Sequence, residues 1–422
     1  MLLVDPDELA LVLNLETRDV LTWAFYATGV GMAATWVIGV VLTLLQYWLR
    51  RSRLGHDAPR PRMGRDAARP RIGWDAARPR IGRDAPRPRS RALLAGGATL
   101  TWLVAIALYL ILGQPGLHGD RLYVVLKDQA DLSQAPGIAD PLARRQQVYQ
   151  TLVAHANDTQ APIRRTLDRL GVDYTPYYLV NAMEVEGGPL VRAWLSRRSE
   201  VDRVLHSPVL RPLPAPLPVA SGGASAPADP QWNLTSIGAD RVWSEFGVTG
   251  VGVVVGQSDS GVQWDHPELR ETYRGRDGKN DYDWLDPWYG TREPTDIGGH
   301  GTHTLGSIVG QTVGVAPGAE WYGCVNLARN LANPALYLDC MQFMLAPFPL
   351  DGDPFADGDP ALGAQVINNS WGCPELEGCD PNALLDAVRA LRTAGVFVVA
   401  SAGNEGPWCG SVGDPLALYD DA

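Results

Sequence analysis

The sequence predicts an α/β protein: a parallel-sheet domain over residues 231–422, preceded by a small α+β module over 121–210 and by two transmembrane helices. Three observations carry this. After residue 231, apolar strand-like runs alternate with helical periodicity, the order that builds parallel sheets. Residues 121–210 mix short β-type runs with helical stretches. Residues 20–49 and 92–113 are uncharged and apolar, and each is long enough to cross a bilayer at about 1.5 Å per residue.

From Val20 to Leu49 and from Ala92 to Gly113 there is no Asp, Glu, Lys or Arg. Acidic residues precede the first run, and its length is wrong for a cleaved signal peptide. Residues 50–91 hold 14 Arg, no Lys and 4 Asp, and include four consecutive nonapeptides, LGHDAPRPR, MGRDAARPR, IGWDAARPR and IGRDAPRPR. Recurrent Pro blocks helix interiors and little apolar surface is available to bury, so an extended, disordered loop is expected. Its arginines assign it to the cytoplasmic side by the positive-inside rule. A multi-pass cell-membrane protein follows, contacting lipid through two helices. Residues 1–19 and everything after about residue 114 are then extracytoplasmic. The rest of the chain has 22 basic and 43 acidic residues, which gives no indication of a nucleic-acid partner.

In the module, Leu122–Leu126 reads as a strand, 141–155 and 160–170 as helices, and Tyr177–Val185 as a second strand. A short helix near 189–197 and a strand near 201–205 complete the order β-α-α-β-α-β. Residues 211–230, RPLPAPLPVASGGASAPADP, form an exposed linker and a cleavage candidate. The five cysteines lie at 324, 340, 373, 379 and 409. Cys373 with Cys379 and Cys324 with Cys340 are candidate disulfides outside the cytoplasm, leaving Cys409 over; no histidines accompany them at zinc-site spacing.

In the last domain, Gly252–Asp259 is an apolar strand ending in an aspartate, at the sheet end where ligands gather. A helix cap or turn would also use such a residue, and Asp265 is a competing carboxylate. His300 stands in Gly298-Gly-His-Gly-Thr-His-Thr-Leu, with a helix expected from about Thr302. His303 is one turn on and reads as a packing residue; the pair lacks the spacing and the Glu of a zinc protease. Gly395–Gly406 begins as a buried strand and breaks at Ala402-Gly-Asn404, where an Asn side chain can meet developing negative charge, or merely tolerate a left-handed turn. Between them, Trp321–Leu327 and Ala364–Asn369 read as strands and Pro334–Leu345 as a helix. A further helix is read over 381–394, capped by Asp380, with Leu384, Leu385, Val388 and Leu391 as its stripe and Gly395 as its stop.

These Asp, His and Asn boxes, in this order, resemble those of the subtilases, the subtilisin-like serine proteases of peptidase family S8. The resemblance implies a subtilisin-like fold, Asp259 and His300 as triad members and Asn404 as the oxyanion-hole donor. It implies Ser370, Trp371 and Gly372 as one wall of the substrate pocket, and Ser401, Ala402 and Gly403 as the other. Tyr123-Val-Val-Leu-Lys127 and Leu179-Val-Asn-Ala-Met183 resemble the inhibitor-type, ferredoxin-like prodomain of the same family. The module would then be an intramolecular inhibitor, and proteins or peptides the substrates. No cofactor is implied; the acidic loop Asp351–Asp359 could hold a structural calcium ion, or be a solvated turn.

The family pattern continues with Gly-Thr-Ser-Met-Ala at a helix start. No Gly-Thr-Ser occurs in this sequence, and Ala422 follows Asn404 by 18 residues. The expectation is therefore a domain truncated at its C-terminus and inactive as given, because His300 has no serine to deprotonate. Ser411 reads as a turn residue. A non-catalytic membrane protein that binds or inhibits another protease is the alternative, with a peptide receptor as a third class.

Overall fold

The computed structural model describes Trp36 and residues 38–42, 121–208, 226–328, 332–413 and 415–422. The chain divides into two units, Met1–Gly116 and Leu117–Ala422. In the first, Trp36 and residues 38–42 are helical and exposed. The remainder of the apolar segments 20–49 and 92–113, the nonapeptide repeat and most of the linker 211–230 lie outside the described residues. Among those described, no helix is long and apolar enough to cross a membrane.

The second unit opens with β1 (Arg121–Leu126), α1 (Pro141–Leu170), β2 (Tyr174–Tyr177), β3 (Ala182–Glu186), α2 (Pro189–Leu195) and β4 (Val201–His206). The four strands form one antiparallel sheet in the order β2-β3-β1-β4. Two sequence expectations change here. The two helices expected over 141–155 and 160–170 are a single 30-residue α1 that runs through Pro162. Asp140 caps its start by accepting from Ala143 N, and Gly171 ends it at φ 64°. The strand expected over 177–185 is a hairpin, with Tyr177 opposite Ala182 and residues 178–181 in the turn.

The larger part contains α3 (Trp232–Ile237), α4 (Ala239–Phe246), β5 (Val254–Asp259), β6 (Trp284–Leu285), α5 (His300–Val309), β7 (Glu320–Val325), α6 (Pro334–Leu345), β8 (Val366–Asn369), α7 (Leu385–Thr393) and β9 (Phe397–Ala400). Its five strands pair in parallel in the order β6-β7-β5-β8-β9. Residues 255–259 and 321–325 are buried without alternation, as strands covered on both faces must be. β9 is an edge and was expected to be buried; instead Phe397 and Val399 are 60% and 40% exposed. Helix α7 starts at Leu385, later than expected, because Ala383 N and Leu385 N bond three residues back, to Asp380 O and Asn382 O, and close turns over 381–384. Disulfides join Cys324 of β7 to Cys340 of α6 and Cys373 to Cys379, while Cys409 is free and exposed.

One apolar cluster continues from the module into the parallel-sheet part. Tyr149, Leu152, Tyr178 and Leu179 share it with Leu338, Phe343 and Leu345 of α6. Polar groups are matched across the same seam. Gln342 Oε1 accepts from Tyr178 N at 2.7 Å and Leu179 N at 3.2 Å, and the buried Arg145 donates to Gly363 O at 2.7 Å.

Candidate active site

Asp259 closes β5 and is fully buried. Its Oδ1 accepts from Ser260 N at 2.7 Å and from His300 Nδ1 at 2.7 Å, and Thr304 Oγ1 lies 3.3 Å from Oδ2. An ionised carboxylate can only accept, so the proton of the contact sits on Nδ1 and leaves Nε2 for proton transfer. The hydrogen bond to Asp259 raises the His300 pKa above its ordinary value; partial burial opposes this, and the charges of Asp259 and Asp296 reinforce it. A buried carboxylate that favours imidazolium is what a histidine base needs when it takes a proton from a nucleophile.

The approach of β5 to α5 depends on glycines. His300 is the first residue of α5, not a residue before it, and Gly299 supplies the preceding turn at φ 77°. A Cβ at Gly301 would collide with Gly261 O, so a side chain there would force α5 off the end of β5.

A cavity of about 160 Å³ is lined by His300, Leu327, Tyr337, Ser370, Trp371, Gly372 and Asn404. The parallel sheet thus brings His300, Asn404 and Ser370–Gly372 to one opening, with Asp259 buried behind His300. Ser401, Ala402 and Gly403, expected as a second wall, are exposed and outside this lining set. Among the described residues they follow β9, the edge strand of the sheet.

Leu327 and Tyr337 were not singled out in the sequence. The Tyr337 ring stacks on Trp371 with centroids 3.9 Å apart and 15° between planes. Its hydroxyl lies 2.6 Å from Glu377 Oε2 and 2.9 Å from Gly372 O. Glu377 sits inside the Cys373–Cys379 loop, and a carboxylate within a short disulfide loop was the available clue. Asp296, four residues before His300, was also missed.

Among the described residues no group of three or more His, Cys, Asp or Glu side chains is arranged to hold a metal ion. In the acidic loop, Asp351 pairs with Arg292, Asp357 accepts from Asp353 N, and Asp359 caps a short 3-10 turn.

The model of the subtilase family matches residues 250–420. Over 282 residues the chain is 31% identical to bacillopeptidase F of Bacillus subtilis, covering 62% of this chain and 19% of that protein. It is 28% identical over 208 residues to a subtilisin of Bacillus sp. (strain TA39), covering 44% and 43% of the two. It is 32% identical over 157 residues to subtilisin-like protease 3 of Arthroderma otae, covering 37% and 34%. The chain therefore spans less than half the length of each of these subtilases. Among solved structures, the epidermin leader peptide processing serine protease of Staphylococcus aureus aligns at 14% identity and a TM-score of 0.42, over 68% of this chain and 60% of that one.

Proposed function

We propose that this chain carries the general-base and oxyanion half of a subtilisin-like serine endopeptidase. The observation that carries the reading is the 2.7 Å contact between His300 Nδ1 and the wholly buried Asp259, at a cavity shared with Asn404. In the reaction, a serine hydroxyl attacks the scissile carbonyl and passes its proton to His300 Nε2. Asp259 holds the imidazolium, and Asn404 donates to the oxyanion. His300 then returns the proton to the leaving amine, and water repeats the sequence to free the acid.

The nucleophile in this reading comes from polypeptide other than the residues given. No Gly-Thr-Ser is present, and Ser370, the serine that lines the cavity, is bonded to Asn368 at 2.9 and 3.2 Å. The half-exposed face of β9 and the exposed run 401–410 support the docking of a further segment there. Without that segment the chain is inactive.

The module 121–208 is read as the inhibitory prodomain. Its β-α-β-β-α-β order supports a ferredoxin-like fold, and its seam with α6 supports a partner held in place until the linker is cut. The apolar lengths of 20–49 and 92–113 support a membrane anchor that holds both parts outside the cytoplasm.

The test is peptide hydrolysis by the chain extended with a Gly-Thr-Ser-bearing subtilase C-terminal segment. Asp259→Asn should lower kcat/KM by about 10⁴ and His300→Ala by about 10⁶ while the protein still folds. Undiminished turnover in either variant removes that residue from the mechanism.

A further inference from the structure

The Asp296 side chain accepts five hydrogen bonds, more than the side chain of either Asp259 or His300, and the proposed proton transfers do not use it. Its Oδ1 accepts from Gly298 N at 3.0 Å, Gly299 N at 2.7 Å and Ser260 Oγ at 2.9 Å. Its Oδ2 accepts from Thr302 N at 2.9 Å and Thr302 Oγ1 at 2.6 Å. The first-turn donors of a helix have no partners of their own, and a carboxylate among them also meets the positive end of the helix dipole. Here Thr302 N is such a donor, and Gly298 N and Gly299 N lie just before the helix, so the partners of Asp296 flank His300 on both sides.

The Ser260 contact gives the arrangement its second function. Ser260 Oγ donates to Asp296 and accepts from Gly301 N at 3.0 Å, while Ser260 N donates to the Asp259 oxygen that also meets His300. A closed ring results: Asp296 to Ser260, Ser260 to Asp259, Asp259 to His300, and His300 through the first turn of α5 back to Asp296. The antiparallel bridge between Gly261 and Asp296 fixes the same two segments through their backbones.

We propose that Asp296 is the positioning residue of the site, clasping the end of β5 to the start of α5 so that His300 Nδ1 stays aligned on Asp259. This rests on the protease reading of the pair, and deepens it. Position and charge act together, because Asp259 and Asp296 are the two carboxylates whose fields bear on His300. Without Asp296 the Ser260 hydroxyl loses its acceptor, the first turn of α5 loses its cap, and the imidazole loses both alignment and a negative neighbour.

The experiment is an NMR titration of histidine-labelled full-length chain, with the His300 resonance assigned from His300→Gln. It needs no nucleophile. Asp296→Asn and Ser260→Ala should each move the His300 titration to lower pH, with Asp259→Asn moving it furthest. A fall in thermal midpoint with the His300 titration unmoved in both variants would show a purely structural cap and overturn the proposal. If Asp296→Asn does not fold, Ser260→Ala decides alone, since it leaves the carboxylate in place. An Asp259→Asn chain whose His300 titrates as in the parent contradicts the protease reading itself, a result distinct from either of the others.

Discussion

Asp259 has its charge shielded from water and its Oδ1 shared between a backbone N–H and an imidazole, whereas Asn404 stands exposed at the mouth of the cavity. The two environments suit two tasks. A buried carboxylate holds one tautomer and one ring orientation, and an amide at the opening can meet charge that develops only on the substrate. In the extended enzyme, Asn404→Ala should lower kcat by about 10²–10³ with little change in KM, a range known from subtilisin itself. A rise in KM at constant kcat would instead make Asn404 a ground-state contact. Asp259, His300 and Asn404 were singled out by the resemblance of three boxes, in that order, to those of the subtilases; alone, the Asp259 and Asn404 boxes would also fit a cap or a turn. Asp296 was not, since a lone Asp before two glycines reads as any turn; only its folded partners distinguish it.

Two elements of the module were hidden from the sequence by contacts made elsewhere. Pro162 argues for a break in α1, at a usual cost of about 3 kcal/mol. The helix continues because Gln160, fully buried, donates to Tyr177 O, Asn181 Oδ1 and Ala182 O and fixes the backbone beside the proline. The turn 178–181 reads as strand because Tyr178, Leu179 and Val180 are apolar; their burial comes from α6, more than 150 residues along the chain. In the parallel-sheet part, the Cys373–Cys379 loop meets the cavity wall through Tyr337. Tyr337→Phe keeps the stack on Trp371 but strips the hydroxyl from Glu377 and Gly372, a loss of about 1–3 kcal/mol. A lowered thermal midpoint is expected, by roughly 2–4 °C per kcal/mol. A midpoint at or above that of the parent chain would mean that the hydroxyl contacts contribute nothing.

Across the whole molecule, the seam between the module and the parallel-sheet part carries titratable groups. Asp339 of α6 meets the Tyr177 hydroxyl and faces Glu184 of β3; loss of hydration and then the Glu184 charge push Asp339 up to about 7. Burial raises Glu184 as well, against the opposing effects of Ser207 and Arg121. A carboxyl raised in the closed state holds a proton that it gives up once exposed. The stability it confers is present in acid and is lost as pH rises from the ordinary carboxyl range through about 7. Urea midpoints should therefore fall as pH rises from about 4 to about 7, and Asp339→Asn should remove part of that fall. An equally steep fall in Asp339→Asn would exclude the pair as its source.

In the proposed reading, His300 and Asn404 stand as base and oxyanion donor while the nucleophile comes from further polypeptide. Fluorophosphonate labelling tests this most directly, because the probe needs a serine activated by its histidine. No labelling of the 422-residue chain is expected, whereas the chain extended with a Gly-Thr-Ser-bearing segment should label, and His300→Ala should abolish that labelling. Labelling of the chain alone, at Ser370 or any other serine, would contradict this reading.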